Sequence, residues 1–453
     1  MQAPFPLASM TQASFHDLGH LANKTADRED PIEILKRQES DRLQWLLPVR
    51  HSRMAQNPFA FFRGGAAVMA ADLARHPHSG LIVQLCGDAH LLNFGFYASP
   101  ERSLLFDIND FDETHLGPFE WDVLRLASSM VVAARSLDLS SSQQEKVCRR
   151  VVRAYAKAMD EFASMPIQQL WAIRLDLDKL IDASDCQDLK KHLKSVVDKA
   201  IQRDSRQAVS QLCEFDGAGG LQFIHEPPLV FRFSKLDTSW QDKANWQDWL
   251  DHAYTNYLDS IHSGMRKLLS HFRLVDVAYK AVGVGSVGTR CAIMLFLGDH
   301  PDELLVLQSK QALPSVLAPY LNLKGAVNHQ GERVVEGQKV MQTASDAFLG
   351  WTTAPSGEHL YWRHFRDWKG SVDLNALEVE GLTDYGKLCA WTLAKAHARS
   401  GNRRAISNHI GIKDIFAESI LELAVAHANQ SEEDYKYFVG EVASGALATS
   451  EVF

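Results

Sequence analysis

Short apolar runs separated by polar clusters open the middle of this chain, and longer helical periodicities take over on either side of a second strand-rich stretch. Leu81-Ile82-Val83-Gln84-Leu85 and Ser103-Leu104-Leu105-Phe106 predict two buried strands, with Ala98 to Arg102 as the turn between them. Gly117-Pro118 then opens a helix running to Leu137, with Val123, Leu126, Ala127, Met130, Ala134 and Leu137 on one face. Helical spacing returns over 140–165, 188–215 and 241–272, broken by Gly217-Ala218-Gly219-Gly220 and by Glu226-Pro227-Pro228, so this part predicts a mainly helical insert. Residues 274–368 are strand-rich: Leu274 to Tyr279, Cys291 to Leu297, Leu304 to Ser309 and Leu360 to Phe365 predict strands, with a helix over 331–342. A helix over 383–400 carries Leu388, Trp391, Leu393 and Ala394 on an apolar face. Upstream, 31–47 is amphipathic, and 57–75 reads as a loop entering a helix.

Polar clusters fall where the first two strands end. Gly87-Asp88-Ala89-His90-Leu91-Leu92-Asn93 follows one, and Asp107-Ile108-Asn109-Asp110-Phe111-Asp112-Glu113 follows the other. Asp88, Asn93 and Asp110 stand at the spacing used for magnesium-assisted phosphoryl transfer. Each has a plainer role open to it: Asp88 can cap a turn after Gly87, Asn93 can be a left-handed loop residue, and Asp107, Asp112 and Glu113 can form a solvated turn. Asp110 is taken as the metal ligand and Asp112 as a further one. His90 is either catalytic or a hydrogen-bonded structural histidine.

A phosphate-binding half is missing upstream of these clusters and is found downstream. Gly283-Val284-Gly285-Ser286-Val287-Gly288 is glycine-rich, and Lys310 closes a strand. GxGxxG alone fits a dinucleotide site equally well, but such a loop must enter a helix, and here a β-branched, aliphatic run follows it. Strand, glycine loop, strand, turn and strand with lysine is the nucleotide-binding hairpin of kinases, so Gly283, Gly285, Ser286, Gly288 and Lys310 are the candidate ATP-binding residues. Lysine on an apolar strand is costly to bury without an anion. Glu336, on the following helix, is placed to orient it, or is an exposed charge beside Glu332.

The first half resembles the aminoglycoside-phosphotransferase branch of the kinase-like fold, whose pattern is HGDxHxxN, a strand, IDF and GDPxxDLA. Asp88 falls on its catalytic Asp, Asn93 and Asp110 on its magnesium ligands, and Asp122 on the structural Asp that opens the next helix. Cys86 stands where that branch has His. From about Arg53 to Gly411 the chain resembles the bacterial family DUF2252, through Pro58 to Gly64, Gly283 to Arg290, Leu307 to Lys310, Arg333 to Gln338 and Ala394 to Gly401. Gln311 departs from the Glu expected there.

The resemblance implies an α+β, two-lobed protein-kinase-like fold, circularly permuted, with a mainly helical insert. It divides the chain into an N-terminal helical segment over 1–80, the catalytic and metal loops over 81–140, a helical part of the large lobe over 141–273, a small nucleotide-binding lobe over 274–368 and closing helices over 369–453. The helix over 383–400 would pack against the catalytic loop, its end near Leu81, where His397 and Arg399 stabilise its C-terminus. Adenine would lie near Tyr361 to Asp367.

Composition narrows the class. In 453 residues, 46% hydrophobic and 23% charged, a large core can be buried. The absence of a long apolar run or a leader-like N-terminus predicts a cytoplasmic protein without a membrane partner. A formal charge of −9 leaves no basic stripe for nucleic acid. The six cysteines form no CxxC pair and predict buried free thiols. The expected function is an ATP- and magnesium-dependent phosphotransferase acting on a small-molecule or protein acceptor. Transfer of AMP by the same residues, a metallophosphoesterase built on Asp88, His90 and His115, and a non-catalytic nucleotide-binding protein are the alternatives.

Overall fold

A computed structural model describes residues 28–176, 190–191, 194–195, 204–235, 246–281, 283, 285, 287–321, 327–365, 370 and 372–450. Four short helices lead: α1 Pro31–Glu39, α2 Leu47–Met54, α3 Pro58–Gly64 and α4 Ala66–Leu73. Asp30 Oδ1 accepts the Ile32 amide at 2.7 Å, and Asn57 Oδ1 accepts that of Ala60 at 2.8 Å, so α1 and α3 start at side-chain caps with proline in the first turn. The expected amphipathic run over 31–47 is thus a helix ending at Glu39, and 57–75 is helical almost throughout.

Next come β1 Ile82–Leu85, β2 Phe94–Ala98, β3 Leu104–Ile108 and β4 His115–Pro118. Two antiparallel pairs form here, β2 with β3 (Phe96 opposite Phe106) and β1 with β4 (Leu85 opposite His115). β2 and β4 were not expected. β4 ends in Gly117-Pro118, which reads as a helix start; in the structure Gly117 is a strand residue whose Cβ would come within 2.5 Å of a Leu85 methyl. The helix α5 Phe119–Ser136 begins only after it and is buried on every side from Phe119 to Ala134, not along one stripe. Helix α6 Ser141–Ser164 follows behind a capping box made by Ser140 and Gln143, and then α7 Ile167–Ala172 and β5 Leu175–Asp176, which adds to β3.

The segment read as a helical insert is mixed. Helix α8 Ser205–Leu212 gives way to a hairpin of β6 Cys213–Phe215 and β7 Leu221–Phe223, whose turn holds the glycines at 217–220. β8 Val230–Arg232 pairs with β9 Arg273–Lys280, and α9 Trp246–Ser260 and α10 Ser263–Leu269 lie between them in sequence. After β9 come β10 Cys291–Leu297, β11 Leu304–Gln311, α11 Gln330–Met341, β12 Gly350–Thr353 and β13 His359–His364. Among the described residues these strands build a six-stranded antiparallel sheet in the order β12-β13-β11-β10-β9-β8. Alternation sets its faces: Leu250, Ala253 and Tyr257 of α9 pack with Met294, Phe296, Leu307 and Trp362, and the Tyr257 and Trp362 rings stack at 4.6 Å between centroids.

Helices α12 Val379–Ser400, α13 Arg403–Ile410 and α14 Lys413–Ala443 complete the chain. With α5 and α6 they form a helical body around Met130, Val131, Tyr155, Leu393, Ala394 and Phe416, all essentially inaccessible to solvent. Each such side chain contributes on the order of 1.5–3 kcal/mol through burial. The end of α12 reaches β1, as expected: Ser400 Oγ accepts the Gln84 amide at 3.1 Å. Leu388 and Trp391 of α12 are only partly buried, at the edge of this core. No described helix is long and apolar enough to cross a membrane. Cys86, Cys148, Cys213, Cys291 and Cys389 are free; Cys186 lies outside the described residues.

Candidate active site

The loop after β1 is held from beneath by a buried polar chain. Asp122, in the first turn of α5, accepts the amides of Cys86 (2.6 Å) and Gly87 (3.0 Å) on its two carboxylate oxygens. His397 Nε2 lies 3.2 Å from Asp122 Oδ2, and its Nδ1 meets the Tyr155 hydroxyl at 2.8 Å. His397 therefore does more than close α12: it fixes the carboxylate that fixes the loop. Gly87 has φ +84°, and a Cβ there would stand 2.0 Å from the Glu113 carbonyl oxygen. Only glycine lets the two acid-bearing loops come this close.

On this platform Asp88 points its Oδ1 at Arg125 of α5, whose Nε and Nη2 both lie at 2.9 Å. Arg125 also donates to the Phe62 carbonyl and sits 3.9 Å over the Phe62 ring. The sequence reading missed it, because an arginine inside an apolar helical run looks like a solvent-facing interruption. His90 is buried, 3.7 Å from Asp88 Oδ2, and burial pushes its pKa down to about 3. It is thus uncharged near neutral pH. Asn93 turns its amide nitrogen to the Asp88 and Asp110 carbonyls, each at 3.0 Å, tying the two loops together. That leaves its oxygen as the end for a cation.

Asp110 follows the end of β3, its carboxylate 40% exposed toward the cleft and 3.9 Å from Lys310 Nζ. Asp112 is the surprise. Its Oδ2 accepts from Lys310 Nζ at 2.5 Å and its Oδ1 from the Tyr361 hydroxyl at 2.5 Å, so it serves here as the acidic partner of the lysine and not as an open metal ligand. Burial alone would lower the Lys310 pKa, but the Asp110 and Asp112 carboxylates outweigh it and hold the ammonium above the ordinary lysine value. Burial would raise that of Asp112, but Lys310, Tyr361 and Arg363 draw it well below the carboxylate range. The acid on Lys310 is thus Asp112 and not Glu336. Glu336 is exposed and bridges to Lys339 at 3.0 Å, one turn along α11. From the inner face of α11 it is Arg333 that reaches the site, donating to the carbonyls of Thr114, Asp112 (2.9 Å) and Leu313 (2.9 Å). Asp107, read as part of a solvated turn, is buried and paired with Lys395 of α12 at 2.5 Å.

The glycine loop joins β9 to β10, with positive φ at Gly283 (+62°) and Gly288 (+92°). Ser286 lies outside the described residues. The N-terminal helices hold this loop. Arg42 donates to the Val287 carbonyl at 2.5 Å, the Leu43 amide to that of Gly288 at 2.7 Å, Arg50 to that of Gly285 at 3.1 Å, and Arg53 to that of Gly283. Arg53 was part of the resemblance, but nothing in its local sequence foretells a partner 230 positions away.

Loop, lysine strand and acid clusters meet around one cleft of about 440 Å³, within the range of ligand sites. Asp88, His90, Asn93, Asp110 and Asp112 line one side, and Gly283 and Gly285 another. Arg63 and Arg363 also face it. The segment named for adenine fits this cleft less well. Tyr361 and Trp362 are buried in the sheet, Phe365 packs on its far side, and Arg366 and Asp367 lie outside the described residues; only Arg363 faces the cleft. Among the described residues no group of three or more His, Cys, Asp or Glu side chains is arranged to hold a metal. Asn93 and Asp110 offer two hard oxygen donors, which suits magnesium, an ion that completes its shell with water and phosphate oxygens.

The family model described as an uncharacterized protein conserved in bacteria, DUF2252, matches residues 42–441. No curated protein and no solved structure matches the chain.

Proposed function

The chain belongs to the DUF2252 family, and from that premise we propose that it is an ATP- and magnesium-dependent phosphotransferase with a permuted kinase-like fold. The observation that carries this reading is the meeting, around one cleft, of a glycine loop with Asp88, Asn93 and Asp110, beside a buried Lys310 paired to Asp112. The two halves come from stretches about two hundred positions apart, and chance gives no reason for them to converge. The sheet order supports the same reading, since the lysine strand β11 stands between the glycine-loop hairpin and β13. So does α12, which meets the catalytic loop through Tyr385 on the Leu91 carbonyl and through His397 on Asp122, although the chain order separates them.

Chemistry follows from position. The glycine loop offers backbone N–H groups to the ATP phosphates at close range. Lys310, kept charged by its acidic neighbours, would exchange part of its contact with Asp112 for phosphate oxygens. Magnesium, when bound by Asn93 and Asp110, would neutralise charge on the phosphates and hold them in line. Asp88 would receive the acceptor's proton, while Arg125 keeps its carboxylate oriented. The acceptor oxygen bonds to the γ-phosphorus as the bond from that phosphorus to the bridging oxygen breaks, and ADP leaves. The lack of a three-ligand acidic or histidine cluster among the described residues argues against the metallophosphoesterase alternative.

Calorimetry with ATP and millimolar magnesium tests the reading directly. Asp110→Ala is expected to remove magnesium-dependent binding, and Asp88→Asn to leave binding within about twofold while abolishing transfer. A folded wild-type protein that binds no ATP would overturn it. Mass analysis of nucleotide and product then distinguishes transfer of phosphate from transfer of AMP.

A further inference from the structure

We infer that Arg63, at the end of α3, is the residue that binds the terminal phosphoryl group of the nucleotide; the inference rests on the phosphotransferase reading. Most arginines on and around the cleft have evident partners: Arg37 pairs with Glu29, and Arg333 donates to the Thr114, Asp112 and Leu313 carbonyls. Arg42, Arg50 and Arg53 donate to carbonyls of the glycine loop, Arg125 to Asp88, and Arg363 to Gln308 Oε1 at 2.9 Å. Arg42 and Arg63 both bury an Nε–H that meets no acceptor among the described residues, but Arg42 is anchored through Nη1 on the Val287 carbonyl, whereas the guanidinium of Arg63, a residue lining the cleft, has no hydrogen-bond partner among them. A guanidinium carries five N–H groups in a flat fork, and burying them unmatched is unfavourable unless a ligand supplies the acceptors.

Its place says which ligand. The Arg63 carbonyl lies 3.9 Å from where a Cβ on Gly285 would stand, so this end of α3 sits against the glycine loop. Arg63 lines the same cleft as Gly285 of the phosphate-binding loop and as Asp88 and Asp110, the carboxylates that would hold acceptor and metal and that favour its charge. Nearby, the Gly64 carbonyl accepts from Arg50 at 3.0 Å and the Phe62 carbonyl from Arg125 at 2.7 Å, which fixes the backbone on both sides of Arg63. A fork carried on this fixed backbone, on the same cleft as Asp110 and Gly285, is placed for the last phosphate of a bound nucleoside triphosphate and not for its sugar or base. Planar forks match phosphate oxygens in pairs, which a lysine cannot do.

The test is the preference for ATP over ADP, measured by calorimetry on the full chain with magnesium, for the wild type, Arg63→Met and Arg63→Lys. Arg63→Met is expected to weaken ATP binding by about tenfold to a hundredfold, the range for a charge-assisted bond, while ADP binding stays within about twofold. Arg63→Lys is expected to recover part of the loss. Retained ADP binding also certifies that the variants fold. Equal weakening of ATP and ADP, or an unchanged ATP affinity in Arg63→Met, overturns the assignment of Arg63 alone. A wild-type chain that binds neither nucleotide overturns the phosphotransferase reading, and this inference with it.

Discussion

Lys310 is 1% exposed and Asp112 27%, and their 2.5 Å contact offsets the burial of both charges while tying the lysine strand to an acid that lines the cleft. Removing one member takes from the other its closest opposite charge. Asp112→Ala leaves the ammonium with Asp110 at 3.9 Å, too long for a hydrogen bond, and is expected to cost about 3 kcal/mol, the lower end for a broken buried pair because the carboxylate is partly wet. Lys310→Met with Asp112→Asn should then cost less than the sum of the single changes, measured by urea unfolding; additive losses would show that the pair is not coupled. His90 supplies a pH dependence at the same scale. Its folded-state pKa of about 3 lies below the ordinary 6.5, so between those values the unfolded chain binds the extra proton. Stability through this group is intact above about pH 6.5 and falls as the pH drops toward 3. His90→Gln should flatten the decline of unfolding free energy between about pH 6 and pH 4, by up to about 1.4 kcal/mol per pH unit. An unchanged slope would mean that His90 is already charged in the folded protein.

Between elements, the site depends on contacts too close for a side chain. Gly87 and Gly80 both have positive φ, +84° and +73°, but a Cβ at Gly87 would meet the Glu113 carbonyl at 2.0 Å while one at Gly80 would meet nothing within 4 Å. Gly80→Ala should therefore cost only the conformational term, about 1–2 kcal/mol. Gly87→Ala adds displacement of the second acid loop. It is expected to lower the unfolding midpoint further and to weaken nucleotide binding, which Gly80→Ala leaves alone. Equal effects of the two, read by thermal unfolding and calorimetry, would deny that the loop-to-loop approach matters.

Over the whole molecule, elements from the two ends of the sequence converge. Arg28 ties Asp72 of α4 to Asp434 of α14, both at 2.7 Å, and Ser52 of α2 exchanges hydrogen bonds with Ser450. The same N-terminal helices hold the glycine loop through Arg42, Arg50 and Arg53. Ligand binding at the loop is thus expected to be felt in a segment about 240 positions away. With ATP and magnesium, amide hydrogen exchange should slow over 287–290 and over 42–53 together, while α13 on the far side stays unchanged. Protection confined to the glycine loop would show that the N-terminal helices are passive packing.

Local chemistry is legible in sequence, and most parts of the candidate site are local. Strand, glycine loop and strand with Lys310 follow from periodicity and turn residues alone, and so do the acid clusters at the ends of β1 and β3. The close of α12 on β1 was also foreseeable, from the resemblance. Other features escape because their cause lies elsewhere in the chain. β4 reads as a helix start until Gly117 is seen pressed on Leu85. Helix α5 looks amphipathic, because nothing in it announces that α6, α12 and α14 will cover its remaining faces. Glu336, on the helix after the lysine, reads either as its partner or as an exposed charge; it is exposed, and the partner is Asp112, 198 positions before Lys310. Periodicity records which way a side chain faces relative to its own neighbours; which charge comes to meet a buried charge is set by packing between distant segments, and only the tertiary structure decides it.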